Sequence, residues 1–362
     1  MKKVRWGVLS TAKIGLTKVI PGMRKSHYID VAAIASRDLA SAESIAASIG
    51  IEKAYGSYED LLADPDIDAI YNPLPNHLHV PLTLKAAAAG KHVLCEKPMA
   101  LNAAELDQLK AVEGLPSSSG AVGQGKLPSS SGAVGQGKKI LIMEGFMVRH
   151  SLQWNAARDQ VRNGALGSAP RMIQSFFSYN NQDPANIRNK VEWGGGGLMD
   201  IGCYPIVAGR FFFEAEPLRV MALVTRHAQF GTDTVTGGLL DFGDGRQLTF
   251  GVSTELARGQ QLTVWGTEAC LTIPVPYNAQ PDVPNIFAID TGEALDGSSA
   301  KVFEMDVSDQ YTRMTEDFSR AVLGEIPLPY GVDDARQNMR IIDALFRSEQ
   351  SGTWETVTPF PA

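Results

Sequence analysis

Cysteine is scarce in this sequence, and the three present, Cys95, Cys203 and Cys270, lie far apart. An odd number without paired spacing excludes a disulfide framework and a zinc-finger set, and it fits a reducing, cytoplasmic setting. Histidine is also sparse; His77, His79, His92 and His150 lack the spacing of metal ligands, so no metal site is expected. No apolar run approaches the roughly 18 residues that a membrane-spanning helix needs. The stretch Met1-Lys2-Lys3-Val4-Arg5-Trp6-Gly7 passes straight into a strand pattern, so an export signal is not expected. Basic residues are not in excess: the net charge is −7, which argues against a nucleic-acid partner.

What is present is an ordinary globular mixture, 44% hydrophobic and 20% charged. At 362 residues the chain exceeds one compact core, so two domains are expected, 1–145 and 146–362. In the first, short β-branched runs alternate with helical stretches. The strands are Val4–Leu9, Val31–Ala35, Ala69–Tyr71, His92–Cys95 and Ile140–Met143. Helical spacing falls between them, at about Lys13–Met23, from Leu39 to Gly50, at Tyr58–Leu62, His79–Ala89 and Ala103–Val112. Strands separated by helices imply a doubly wound parallel sheet of the Rossmann type with right-handed crossovers. Ligands of such a sheet bind beyond the carboxyl ends of its strands.

Residues 115–138 break this rhythm. Leu115–Lys126 reads LPSSSGAVGQGK, and Leu127–Lys138 repeats it letter for letter. A duplicated Ser/Gly/Pro insert cannot bury a core and is expected to be a mobile surface loop at the amino edge of the sheet. Its GxGK lacks the strand–loop–helix setting of a phosphate loop.

From Phe146 the pattern changes. A helix, Trp154–Asn163, leads into β-rich stretches at Arg171–Tyr179, Leu218–Thr225, Thr234–Phe242, Gln247–Thr254, Gln261–Gly266 and Ala269–Ile273. Hairpin signals such as Asp241-Phe242-Gly243-Asp244-Gly245 predict an α+β domain with a large, open, mostly antiparallel sheet. Tyr311–Leu323 and Asp334–Ser348 carry helical periodicity and are assigned to the same domain.

Aligned on GxGxxG, the first strand–turn–helix puts Ser10, Ala12 and Gly15 at the glycine positions. Ser10, Thr11, Ala12, Lys13 and Ile14 are therefore expected to cradle a dinucleotide pyrophosphate, small residues replacing the first two glycines. The end of the second strand carries Ser36-Arg37, where an NAD enzyme has a carboxylate for the ribose. A hydroxyl and a guanidinium attract a 2′-phosphate, so NADP is favoured and NAD is the alternative. The bland alternative pairs Arg37 with Asp38 on the surface.

Beyond Tyr71 comes Asn72-Pro73-Leu74-Pro75-Asn76-His77-Leu78-His79, an extended turn at the crevice, with Leu74, Pro75, Asn76 and His79 assigned to the cofactor and Asn76 to the cap of the next helix. The following strand delivers Glu96-Lys97-Pro98. A charged pair there is costly unless paired or functional, and Lys97 can reach both a nicotinamide ribose and a substrate oxygen. Farther on, Gly194 to Gly197 precedes Asp200-Ile201-Gly202-Cys203-Tyr204-Pro205. Because Pro205 belongs in a first turn, the helix is expected to start near Ile201.

Glu96-Lys97-Pro98 paired with the glycine run and Asp200-Ile201-Gly202-Cys203-Tyr204 resembles the glucose–fructose oxidoreductase/inositol dehydrogenase/MocA family across nearly the whole chain outside the insert. Tyrosine at 204, where many members carry histidine, is similar to the branch of dimeric dihydrodiol dehydrogenases and NADP-dependent D-xylose dehydrogenases. The resemblance implies that Lys97 and Tyr204 flank the reacting carbon with Asp200 nearby. It also implies dimers or higher oligomers through the open face of the second sheet, and a sugar, anhydro-sugar or cyclic-diol substrate. Chemistry agrees: tyrosine ionises near pH 10 unperturbed, and a neighbouring ammonium lowers that value. Tyr204 is the preferred acid/base with Lys97 as electrostatic partner; Lys97 as proton carrier is the close alternative, and Asp200 orients one of them or bonds a substrate hydroxyl. Glu144, Arg149, Arg188 and Trp193 are weaker candidates on the approaches. A non-catalytic nucleotide-binding sensor on the same fold is the competing class.

Overall fold

The computed structural model describes residues 2–115, 139–167 and 169–357; apart from Leu115, the duplicated insert lies outside them. The chain divides into two compact units, 1–145 with 311–336, and 146–310 with 337–362.

The first unit holds six strands: β1 (Val4–Leu9), β2 (Ile29–Ala35), β3 (Lys53–Tyr55), β4 (Ala69–Asn72), β5 (His92–Cys95) and β6 (Ile142–Glu144). All pair in parallel, in the order β3-β2-β1-β4-β5-β6. The order reverses between β1 and β4, and such a switch point opens a crevice at the carboxyl ends. Helices α1 (Ile20–Met23), α2 (Leu39–Ile49), α3 (Tyr58–Ala63), α4 (His79–Ala88) and α5 (Glu105–Val112) connect the strands. A π-helical turn, Gly15–Val19, precedes α1. β3 has no counterpart in the sequence reading: it is a three-residue edge strand, too short for two-residue periodicity to register.

Residues 311–336 pack with this unit although the sequence reading gave them to the second. The reason is burial near β1. Trp6 is fully buried, its indole N–H donates to Ser319 Oγ at 3.2 Å, and its ring lies 5.5 Å from that of Phe318.

The second unit carries α6 (Leu152–Arg162) and α7 (Cys203–Phe213) against a nine-stranded sheet. Its strands are β7 (Met172–Asn180), β8 (Arg219–Arg226), β9 (Asp233–Asp241), β10 (Gln247–Ser253), β11 (Glu255–Trp265), β12 (Cys270–Ile273), β13 (Ile286–Asp290), β14 (Lys301–Glu304) and β15 (Glu355–Thr356). The order is β14-β13-β12-β11-β7-β10-β9-β8-β15, antiparallel throughout except between β7 and β10. β13, β14 and β15 escaped the sequence reading because they are short and carry few buried residues. β11 begins earlier than expected, since a register shift between Glu255 and Gly259 disrupts the alternation there. One sheet face packs on α6 and α7, where Trp154 lies 5.3 Å from Phe211 and 5.5 Å from Phe212. The other face leaves Phe176, Met221, Leu223, Val235 and Trp265 exposed.

The remaining helices are α8 (Gln310–Leu323) and α9 (Val332–Ser351). No helix among the described residues is long and apolar enough to cross a membrane.

Candidate active site

At the end of β1, Ser10 has φ 92°, a left-handed conformation that glycine adopts freely and other residues pay for at about 1–3 kcal/mol. Two local bonds offset the strain: Ser10 N–H donates to Ala35 O at 2.9 Å, and Ser10 Oγ accepts from Ala12 N–H at 3.1 Å. Serine thus takes the shape of the first glycine in a dinucleotide turn. Thr11, Ala12 and Ile14 are half-buried and Lys13 is exposed.

After β2, Ser36 N–H donates to Tyr55 O at 3.0 Å. Asp38 does not pair with Arg37; its carboxylate accepts from Ser41 N–H at 3.3 Å and caps α2. Arg37 is exposed, and among the described residues it makes no ion pair. An exposed guanidinium therefore stands after β2, while the adjacent Asp38 carboxylate is taken up by the cap of α2. The Ser10 turn and Ser36-Arg37 together fit a dinucleotide bearing a 2′-phosphate.

After β5 the loop backbone is pinned on several sides. Glu96 N–H donates to Asn72 O at 3.0 Å, and Met99 N–H to Glu144 Oε1 at 2.8 Å. Tyr71 O–H donates to Glu96 Oε1 at 2.6 Å; burial, then the Glu96 charge, push this phenol well above its ordinary value. The Lys97–Pro98 peptide is cis. Lys97, half-buried, is carried on a loop whose neighbours are fixed, the condition for a preorganised functional side chain.

On the loop after β4 one expectation is corrected. Asn76 does not cap α4: it opens a 3-10 turn, Asn76–Leu78, and neither that turn nor α4 has a side-chain cap bond. His79 is 1% exposed, with Nδ1 2.8 Å from Pro98 O and Nε2 2.6 Å from Leu74 O. Both ring nitrogens lie within hydrogen-bonding distance of chain carbonyls, so His79 braces the loop. Leu74 is buried, and Pro75 and Asn76 are half-buried.

In the second unit the glycine run is shaped by two neighbours. Gly196 N–H donates to Arg188 O at 2.9 Å, and a Cβ on Gly195 would collide with that same carbonyl. Gly196 has φ 120°, and a Cβ there would strike the carboxylate of Asp233. Asp233, 1% exposed at the start of β9, accepts from Leu198 N–H at 2.6 Å and from Thr236 O–H at 3.0 Å. Burial pushes its carboxyl up, against the bonds it accepts. Winding begins three residues before Ile201, as a π-helical turn, Leu198–Gly202, that runs into α7 and admits Pro205 as the third residue of the α-helix.

Asp200 lies in this turn. Its Oδ2 accepts from Tyr179 O–H at 2.6 Å and from Arg188 Nε–H at 2.9 Å. Burial and the Asp200 charge raise the Tyr179 phenol, and Asp200 raises Arg188. Tyr204 follows, 5% exposed, with its ring 5.4 Å from Phe146, 5.8 Å from Phe177 and 5.3 Å from Tyr277. Its hydroxyl lies 3.6 Å from Met147 Sδ. Tyr71, Tyr179 and Asp233 went unrecognised in the sequence, because nothing local to them signals which distant side chain they meet.

A Rossmann-type sheet with this turn, joined to a second open-sheet domain, defines a nicotinamide-dinucleotide oxidoreductase. An oxidoreductase-family model, described as an NAD-binding Rossmann fold, matches residues 4–114, and the GFO/IDH/MocA C-terminal domain matches residues 154–272. An uncharacterized oxidoreductase of Rhizobium meliloti is 40% identical over 99% of this chain and 100% of its own. The D-xylose 1-dehydrogenase (NADP(+)) 2 of Haloferax volcanii is 36% identical over 96% of this chain and 98% of its own. A 3-ketoreductase from Actinomadura kijaniata, solved with NADP and TDP-benzene, superimposes with TM-score 0.82 at 25% identity, covering 96% of this chain and 98% of its own. The chain belongs to the GFO/IDH/MocA oxidoreductase family.

Proposed function

We propose that this protein is an NADP-dependent dehydrogenase or reductase acting on a CH–OH carbon of a sugar, anhydro-sugar or cyclic diol. Lys97 and Tyr204 form its acid/base pair, and Asp200 assists. The observation that carries the reading is Ser10 holding a glycine conformation at the first turn while Ser36-Arg37 present donors after β2. The bound dinucleotide supplies the hydride acceptor or donor. Ser10, Thr11, Ala12, Lys13 and Ile14 hold its pyrophosphate, Ser36 and Arg37 its 2′-phosphate, and the loops bearing Leu74, Pro75, Asn76 and Glu96 line its nicotinamide end.

In oxidation, Tyr204 Oη takes the proton of the reacting hydroxyl. The Lys97 ammonium stabilises the phenolate and so lets it act as a base at neutral pH. In reduction the proton travels the other way. The relatives acting on D-xylose and on a nucleotide-linked keto sugar support a carbohydrate-like substrate.

We place the enzyme in the cytoplasm, on the strength of its scattered cysteines. It assembles as a homodimer or larger through the open sheet face. The exposed Phe176, Met221, Leu223 and Trp265 support that surface.

The test incubates purified protein with NADP and a panel of aldoses and cyclic trans-diols, following reduced nicotinamide by absorbance. Turnover on a member of the panel is expected. Tight NADP binding without turnover on any of them would identify a sensor instead.

A further inference from the structure

Arg188 stands out among the side chains around Asp200. Its backbone is fixed from both sides: Arg188 N–H donates to Asn186 Oδ1 at 3.0 Å, and its carbonyl accepts from Gly196 N–H at 2.9 Å. Its Nε–H is spent on Asp200 at 2.9 Å. Among the described residues no acceptor lies within hydrogen-bonding distance of its terminal nitrogens, Nη1 and Nη2. The guanidinium is a planar fork, so anchoring Nε aims the terminal edge in a fixed direction. The side chain is 44% exposed, against 14% for Asp200. Tyr204 is close enough for its charge to act on Arg188.

Four N–H donors on a rigid, immobilised edge beside the acid/base tyrosine need oxygen acceptors. Asp200 already balances the charge of Arg188 at contact distance, which weakens the attraction for a free anion and suits neutral hydroxyl oxygens. Tyr179 secures the arrangement by occupying the same Asp200 oxygen, so the carboxylate is held from two directions.

We propose that Arg188 is a specificity residue that donates from its terminal edge to the hydroxyl adjacent to the reacting carbon, making the enzyme selective for vicinal polyols over deoxy analogues. The assignment rests on the proposed function for the identity of the reacting site. Its chemistry follows from an anchored, charged donor: a substrate lacking the matching oxygen forgoes the charge-assisted bond that a hydroxyl accepts from Arg188.

The experiment measures equilibrium binding of D-xylose, D-glucose and 2-deoxy-D-glucose to the NADP-loaded protein by calorimetry, for the wild type, Arg188→Ala and Arg188→Lys, with turnover measured in parallel. The wild type is expected to bind at least one of the hydroxylated sugars, and to prefer glucose over 2-deoxyglucose if it binds both. Arg188→Ala should weaken binding of the hydroxylated sugar about 10-fold or more and erase the preference over the deoxy sugar. Arg188→Lys keeps the charge without the fork and should remain within about threefold of the alanine variant. NADP affinity and melting temperature should stay near wild type.

Equal losses on hydroxylated and deoxy sugars would overturn the proposal, as would an unchanged dissociation constant or a wild type that binds none of the three. A fall in kcat with sugar affinity unchanged would also overturn it, assigning Arg188 to Tyr204 instead of to substrate. Sugar binding with the expected pattern but no turnover would uphold Arg188 and sink the dehydrogenase reading, so the two failures are distinct.

Discussion

Asp233 accepts the Leu198 N–H at 2.6 Å and thereby fixes the first turn of the helix that carries Asp200 and Tyr204. A helix start leaves backbone donors unsatisfied, and here one of them is met by a carboxylate from a separate strand. Asp233→Ala would leave a buried N–H and the Thr236 hydroxyl without their acceptor. The cost should be about 2–3 kcal/mol, and loosening this turn should lower kcat more than it alters NADP affinity. Thermal melts, cofactor titration and steady-state kinetics on the same variant check this; unchanged stability would show that the contact contributes nothing.

Gly196 provides an independent probe of the same arrangement. Its φ of 120° lies in a region closed to other residues, and an added Cβ would meet the Asp233 carboxylate. Gly196→Ala should therefore destabilise the protein by about 3 kcal/mol or more. Expression yield and melting temperature report it, and a wild-type melting temperature would contradict the geometry.

Arg37 tests the nucleotide preference. It is exposed after β2 and has no carboxylate partner among the described residues, whereas Asp38 is committed to the cap of α2. A charge-assisted bond to a phosphate contributes about 1.5–3 kcal/mol, so Arg37→Ala should weaken NADP about 10- to 100-fold. NAD affinity should change little. Fluorescence titration with both nucleotides decides, and equal losses would remove Arg37 from the 2′-phosphate site.

These tests bear on residues of unequal visibility. The Rossmann alternation was legible because each buried parallel strand is an apolar run between helices, and Ser10 could be aligned from its position alone. Its strained φ could not, since the sequence shows only a small residue. β3 and β13 to β15 are short or poorly buried, so their pairing depends on neighbours distant in the chain. The reassignment of residues 311–336 has the same origin: a helical period identifies the apolar face of α8 but not Trp6 and Ser26 as its partners. The proposed roles of Lys97 and Tyr204 rest on compact motifs. Tyr71, Tyr179 and Asp233, which hold those motifs in place, are ordinary strand residues until the tertiary fold gives each its partner.

His79 makes stability depend on pH. Burial, opposed by the Pro98 and Leu74 carbonyls and aided by Lys97 and His77, lowers its pKa from 6.5 to about 4. Between those values the unfolded chain binds a proton that the folded chain does not, so stability is fully present above pH 6.5 and is lost as pH falls toward 4. The amount is on the order of 3 kcal/mol. His79→Gln removes the titrating ring, and although it lowers stability at pH 7, its melting temperature should fall less steeply between pH 6.5 and 4 than that of the wild type. Parallel acid profiles would contradict the assignment.

Lys97 and Tyr204 supply the sharpest test of the chemistry. Tyr204→Phe keeps the ring that packs against Phe146, Phe177 and Tyr277 and removes only the hydroxyl, so folding and NADP affinity should persist while turnover falls by about 100-fold or more. Lys97→Ala should likewise bind NADP and fold, but its defect should have a different pH signature. Without the ammonium the phenol is harder to ionise, so residual oxidation should rise with pH across the alkaline range where the wild type has levelled off. A pH–rate profile of both proteins separates the roles. If Lys97→Ala is inactive at every pH while Tyr204→Phe retains near-normal rates, lysine is the proton carrier and the tyrosine is packing.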